Sequence, residues 1–182
     1  MVTMPLINPK TTAAALASYH FQPSLEQLTA AQQWEKLIRD GLIEKVRETA
    51  LEADFRRYII EDILRYRSVG SGPEFTVATK EPVGNGEVDL ALGKFSVAER
   101  RILAPFELKG PSFKNLDAIM PGRAKTPVQQ AWEYGIDAIG ARWVLVSNQV
   151  EIRLYAMGRG RREYEIFELS KLDDPEFLKR FI

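Results

Sequence analysis

Asp89, Glu107 and Lys109 are the residues whose types and spacing carry the most chemistry in this chain. Asp89 follows Gly84-Asn85-Gly86, a turn-forming run, and opens a short apolar segment that reads as a strand. Residues 102–108 (ILAPFEL) form a second apolar run, and Glu107 and Lys109 stand two apart at its end. Side chains alternate along a strand, so residues i and i+2 leave the same face. If the two strands are neighbours, Asp89, Glu107 and Lys109 converge on one patch. Two carboxylates and an ammonium suit a hard divalent cation and a phosphate: the carboxylates hold Mg²⁺, which polarises a phosphodiester and activates water, and the lysine orients that water or stabilises developing charge. A Glu–Lys pair on an exposed strand would instead be a surface salt bridge of little energy. The apolar residues around Glu107 place this strand centrally, where charges need a partner or an ion.

Composition removes most competing chemistries. The chain has no cysteine, which excludes disulfides, thiolate zinc sites and cysteine nucleophiles. Its single histidine, His20, lies in a region that reads as irregular, which argues against a serine–histidine triad or a histidine metal site. Basic and acidic residues balance at 25 each, so any nucleic-acid surface must come from local clustering. No apolar run approaches the roughly 18–20 residues that span a bilayer, and the N-terminus lacks signal-peptide character. A cytoplasmic protein without a membrane partner is expected. At 182 residues the chain suits one domain, with room for an extension.

The elements that would position the patch follow from pattern. Residues 1–22, rich in Ala, Thr and Pro, read as an arm. Ser24 caps a helix behind Pro23, and residues 1–50 together form an N-terminal arm and helical extension. Residues 52–66 (EADFRRYIIEDILRY) make the clearest amphipathic helix, with Phe55, Ile59, Ile63 and Tyr66 on one face. Glu52 and Asp54 in its first turn favour the positive end of the helix dipole. Segments 74–83, 87–93 and 102–108 read as strands, the last two as a hairpin that brings Asp89 to Glu107. Thr126-Pro127 starts a helix that sets Gln130 and Tyr134 one turn apart. Segments 142–148, 151–157 and 162–169 are further strands. A terminal helix follows in 171–182, and its Phe177, Leu178 and Phe181 must pack on something. The fold class is therefore α/β (α+β), a mixed central β-sheet flanked by helices.

An acid at a strand start, Glu-x-Lys on the next strand and then a helix resembles the PD-(D/E)XK nuclease superfamily. Gln130-Ala131-Trp132-Glu133-Tyr134 matches the Gln-x-x-x-Tyr element of one branch, and Glu52-Ala53-Asp54-Phe55-Arg56 looks like the Glu-Ala-x-x-Arg helix of restriction nuclease domains. The longer run VDLALG…PFELKGP…TPVQQAWEYG…GARWVLVSN…EIRLYA is similar to the N-terminal endonuclease domain of type IIG-like, fused restriction–modification enzymes. The resemblance covers roughly residues 50–170, so a restriction-endonuclease-like core is expected over 51–170. Val88 stands where the superfamily's name has proline. The apolar residues of 175–182 suggest a chain that leads on to a methyltransferase domain.

What the resemblance implies is Mg²⁺-dependent hydrolysis of double-stranded DNA, with Mn²⁺ able to substitute. Asp89 and Glu107 would hold the metal, helped by the backbone carbonyl of Leu108, and Lys109 would serve the attacking water. Glu52 would join the ligand shell, and Gln130 would hydrogen-bond near the metal or the DNA backbone. A methyltransferase or target-recognition region would supply sequence choice, and cleavage of both strands would call for a homodimer. Basic residues near the patch, Lys114, Arg123 and Lys125 in one loop and Arg159 and Arg161 at a hairpin tip, are candidates for phosphate contacts, with Tyr134 beside them. The competing reading is a catalytically silent nuclease-fold module for DNA binding or assembly. A small-molecule phosphohydrolase ranks last, because Gly84-Asn85-Gly86 is too short for a phosphate-binding loop and lacks its Lys-Ser/Thr.

Overall fold

A computed structural model describes residues 4–182. Five helices and six strands run in the order α1 (Pro9–Ser18), α2 (Leu25–Arg39), α3 (Glu48–Phe55), β1 (Phe75–Val83), β2 (Gly86–Phe95), β3 (Arg100–Leu108), α4 (Pro127–Asp137), β4 (Trp143–Ser147), β5 (Glu151–Ala156), β6 (Tyr164–Glu168) and α5 (Pro175–Phe181). The strands form one open sheet in sequence order. Every neighbouring pair is antiparallel except β3 and β4, which run parallel with α4 between them. The mixed sheet flanked by helices that the pattern predicts is what the chain adopts. Among the described residues no helix is long and apolar enough to cross a membrane.

Strand alternation sorts the core into two layers. On one face Phe106 and Leu108 of β3 and Leu90 and Leu92 of β2 meet α2, α3 and α5. Trp34 of α2 is fully buried there, edge-on to Phe55 at 5.5 Å, which in turn meets Phe106 at 5.9 Å. On the other face Val144, Val146 and Tyr155 pack with Val128, Ala131 and Trp132 of α4. Each of the Val, Leu and Phe side chains among them contributes roughly 1.5–3 kcal/mol by leaving water. Helix α2, expected as part of an extension, thus belongs to the main core. Its start and that of α4 carry the capping boxes that Ser24 and Thr126 promise.

The structure departs from the sequence reading in three places. The helix expected over 52–66 begins earlier, at Glu48, and winds as a π-helix through Arg56–Ile63, which brings Ile59, Ile60 and Ile63 all into the core. Within the arm, Pro9–Ser18 is helical, capped by Asn8 behind an N-terminal proline, yet buries no side chain. Residues 1–3 of that arm lie outside the described residues. The terminal helix does not leave its apolar face open: Leu178 and Phe181 are buried, and Phe177 and Phe181 stack around Phe167. Its apolar face packs within this chain.

Candidate active site

Glu107 lies between Phe106 and Leu108, whose side chains fill the layer under α2 and α3. Alternation therefore sends Glu107 and Lys109 to the opposite face, toward α4. Gln130 of α4 meets it there, its Nε2 donating to Glu107 Oε1 at 2.8 Å. Lys109 Nζ donates to the same oxygen at 2.5 Å. The other oxygen, Oε2, is buried and takes no hydrogen bond among the described residues. Only 1% of Glu107 is exposed. Burial, and then the negative charge of Asp89, push its carboxyl up to about 7, against the opposing pull of Lys109 and Arg123.

Asp89 is carried by the β1–β2 hairpin. The two strands pair up to Val83↔Gly86, leaving the two-residue turn Gly84-Asn85, with Gly84 at φ +57°. A Cβ on Gly84 would sit 2.3 Å from the carboxyl of Asp137, and one on Gly86 2.9 Å from the ring of Tyr134. The hairpin end therefore lies directly against α4. Beyond Leu90↔Phe106 the ladder between β2 and β3 ends, and Asp89 closes the gap: its Oδ2 accepts the Leu108 N–H at 2.8 Å. Its Oδ1 accepts from Lys80 Nζ at 2.6 Å. Thr49, Glu52, Ala53, Arg56, Thr79, Lys80, Asp89, Leu90 and Leu108 line a cleft of about 270 Å³ between α3 and this edge of the sheet. The larger groove, about 640 Å³, lies elsewhere and is walled chiefly by apolar side chains such as Leu103, Trp143 and Phe167.

The hairpin and α4 thus bring together Asp89, Glu107, Lys109 and Gln130, and α3 sets Glu52 on the rim of the same cleft as Asp89 and Leu108. The basic residues proposed to meet DNA divide. Arg123 NH1 donates to Gln130 Oε1 at 2.7 Å, which ties it to Glu107 through one amide. Lys114 pairs with Glu44 and Lys125 with Glu133. Arg159 lies 3.7 Å from Glu163, and Arg161 rests over the Trp132 ring at 5.9 Å. Tyr134 is wedged against Gly86, and its hydroxyl accepts from Gln130 at 3.3 Å. That position makes it a packing residue of the site.

Lys80 was not singled out by its type or neighbours. The signal was countable all the same: a two-residue turn at Gly84-Asn85 puts residue 80 opposite residue 89.

A divalent cation fits this donor set on one observation above others, the buried Glu107 oxygen with nothing to accept from. Among the described residues no three His, Cys, Asp or Glu side chains form a ready-made metal group. Mg²⁺ does not require one, since it is commonly held by one or two carboxylates with water and phosphate supplying the rest. Comparison with protein-family models, curated proteins and solved structures finds no match for this chain.

Proposed function

We propose that this chain is a Mg²⁺-dependent DNA endonuclease of the PD-(D/E)XK type, the cleavage module of a restriction–modification system. The observation that carries the proposal is Glu107 itself: buried, electrostatically uncomfortable beside Asp89, and left with a bare oxygen where a cation would sit. Asp89, Gln130 and, through Gln130, Arg123 gather around this glutamate, which supports a site over an isolated Glu-x-Lys pair.

Asp89, Glu107 and the Leu108 carbonyl would hold Mg²⁺, or Mn²⁺ in its place. When bound, the ion supplies Lewis-acid polarisation of the phosphodiester and lowers the pKa of water. The chain's residues do the rest. Lys109, already drawn toward the glutamate, orients the attacking water and offsets charge on the pentavalent phosphorus. Gln130 fixes the Glu107 carboxylate, and Arg123 fixes Gln130. Glu52, across the cleft, orients water or takes part in holding a second ion. Arg56 on the cleft wall, 3.3 Å from Glu61, would turn to meet a phosphate of double-stranded DNA. With no net charge to draw DNA from a distance, target choice falls to a methyltransferase or recognition region of a longer chain, and cutting of both strands to a homodimer, inside the cell where the DNA is.

The deciding experiment is Mn²⁺ and Mg²⁺ calorimetry on the wild type, Asp89→Ala and Glu107→Ala, followed by nicking of supercoiled plasmid. Binding and nicking in the wild type, both lost in the two folded variants, is the expected result. Binding without nicking, even with a long duplex substrate, would favour the silent DNA-binding or assembly module. Absence of binding in every form would sink the metal site.

A further inference from the structure

Lys80 occupies a backbone position that lysine rarely takes. Its φ of +51° lies in the left-handed region, inside a strand that pairs regularly on either side of it, Thr79 with Leu90 and Glu81 with Val88. Glycine takes that conformation at little cost, whereas a residue with a Cβ does not. Such outliers persist where surrounding contacts over-determine them, and they cluster at functional sites. From this position the side chain reaches Asp89, Nζ to Oδ1 at 2.6 Å.

The pair fixes how Asp89 can respond to a cation. Both of its oxygens are engaged, Oδ1 by Lys80 and Oδ2 by the Leu108 N–H. Glu107, by contrast, keeps one oxygen with no hydrogen bond among the described residues. Each Asp89 oxygen keeps a second lone pair, so an ion shared by the two carboxylates need not break a hydrogen bond to bind. Its charge would nonetheless repel the Lys80 ammonium beside Oδ1 and favour that partner's departure. The Leu108 amide belongs to the end of β3 and cannot leave without distorting the strand. The Lys80 side chain is 52% exposed, against 17% for that of Asp89, and its flexible four-carbon stem can turn its strongly hydrated ammonium outward.

We propose that Lys80 is an internal counter-ion of Asp89, displaced when a divalent cation binds, so that loading the site is an exchange of cations and Lys80 sets the metal affinity. This rests on the metal-site reading given above. Lys80 is a positioning residue in this scheme, acting through Asp89. Held beside Asp89, it keeps the carboxylate neutralised and aligned while the metal is away. Its positive charge also opposes the incoming dication directly, so both effects weaken metal binding in the wild type.

The test is Mn²⁺ calorimetry at pH 8 and fixed ionic strength on the wild type, Lys80→Met, Lys80→Arg and Lys80→Gly, with thermal unfolding to confirm that each is folded. Lys80→Met is expected to bind Mn²⁺ roughly two- to fivefold more tightly, the size set by losing one partly exposed ion pair. Lys80→Arg should stay within about twofold of the wild type. Glycine suits the φ of +51°, so Lys80→Gly decides the matter if the methionine variant does not fold, and it too should bind more tightly. A merely structural role for Lys80 would leave the affinity unchanged or lower it. Either of those results, with Mn²⁺ still bound by the wild type, overturns the exchange and leaves the metal site standing. A wild type that binds no Mn²⁺ overturns both.

Discussion

A buried carboxylate is costly unless hydrogen bonds or opposite charge meet it, and Glu107 is met on one oxygen only. Its folded-state value of about 7 lies above the 4.5 of an unperturbed glutamate. Between those values the folded chain holds a proton that the unfolded chain has released, so stability falls as pH rises. The penalty is absent below about pH 4.5 and complete above about pH 7. Glu107→Gln keeps the acceptor for Gln130 and removes the charge. Without added metal, this variant should therefore be more stable than the wild type at pH 8 by on the order of 1–3 kcal/mol. The advantage should shrink as pH is lowered to 5.5. Urea unfolding at the two pH values measures it. A variant less stable at pH 8 would mean that the pairing with Lys109 outweighs both burial and the repulsion from Asp89.

Among the elements, the contact between the β1–β2 turn and α4 does most to register Asp89 with Gln130. Gly86 leaves space that the Tyr134 ring fills, and a Cβ there would meet ring atoms at 2.9–3.4 Å. Gly86→Ala is expected to cost about 1–3 kcal/mol by overpacking, with the loss reduced when Tyr134→Ala removes the ring. A double-mutant cycle by chemical denaturation reads the coupling, and simple additivity would show that the two elements adjust independently. Much at this scale was legible beforehand. Alternating apolar residues marked the strands, Ser24 and Thr126 marked helix starts, and Glu-x-Lys and Gln-x-x-x-Tyr put the candidate side chains on one strand face and one helix face. What was hidden depends on hydrogen-bond register and distant pairing. Nothing in the composition of Arg56–Ile63 distinguishes π from α winding, and lysine is not a residue that signals a left-handed strand position. Lys114 looked free for phosphate because its partner, Glu44, is 70 residues away. Arg123 reaches Gln130 from a loop whose path no local pattern sets.

For the whole molecule, the site joins parts of the chain that have little else in common. Asp89 comes with a hairpin, Glu107 and Lys109 with a central strand, Gln130 with a helix on one face of the sheet, and the cleft wall with α3 on the other. An ion held by Asp89 and Glu107 would bind the folded chain and find no such arrangement in the unfolded one. Mass action then stabilises the fold, by about 2.7 kcal/mol when free metal is a hundred times its dissociation constant. In a chain of this size each kcal/mol moves Tm by about 2–4 °C, so saturating Mg²⁺ at pH 8 should raise Tm by roughly 5–10 °C, and EDTA should reverse the shift. The effect would also depend on pH. Metal and proton would compete for Glu107, whose carboxyl is pushed up to about 7, so the shift should be clearly smaller at pH 6 than at pH 8. Glu107→Gln should show no specific shift at either pH. Scanning calorimetry on both proteins separates this from general salt effects, because screening by Mg²⁺ would act on both alike. Equal shifts in the two would place the stabilisation on the surface charge and away from the carboxylate pair.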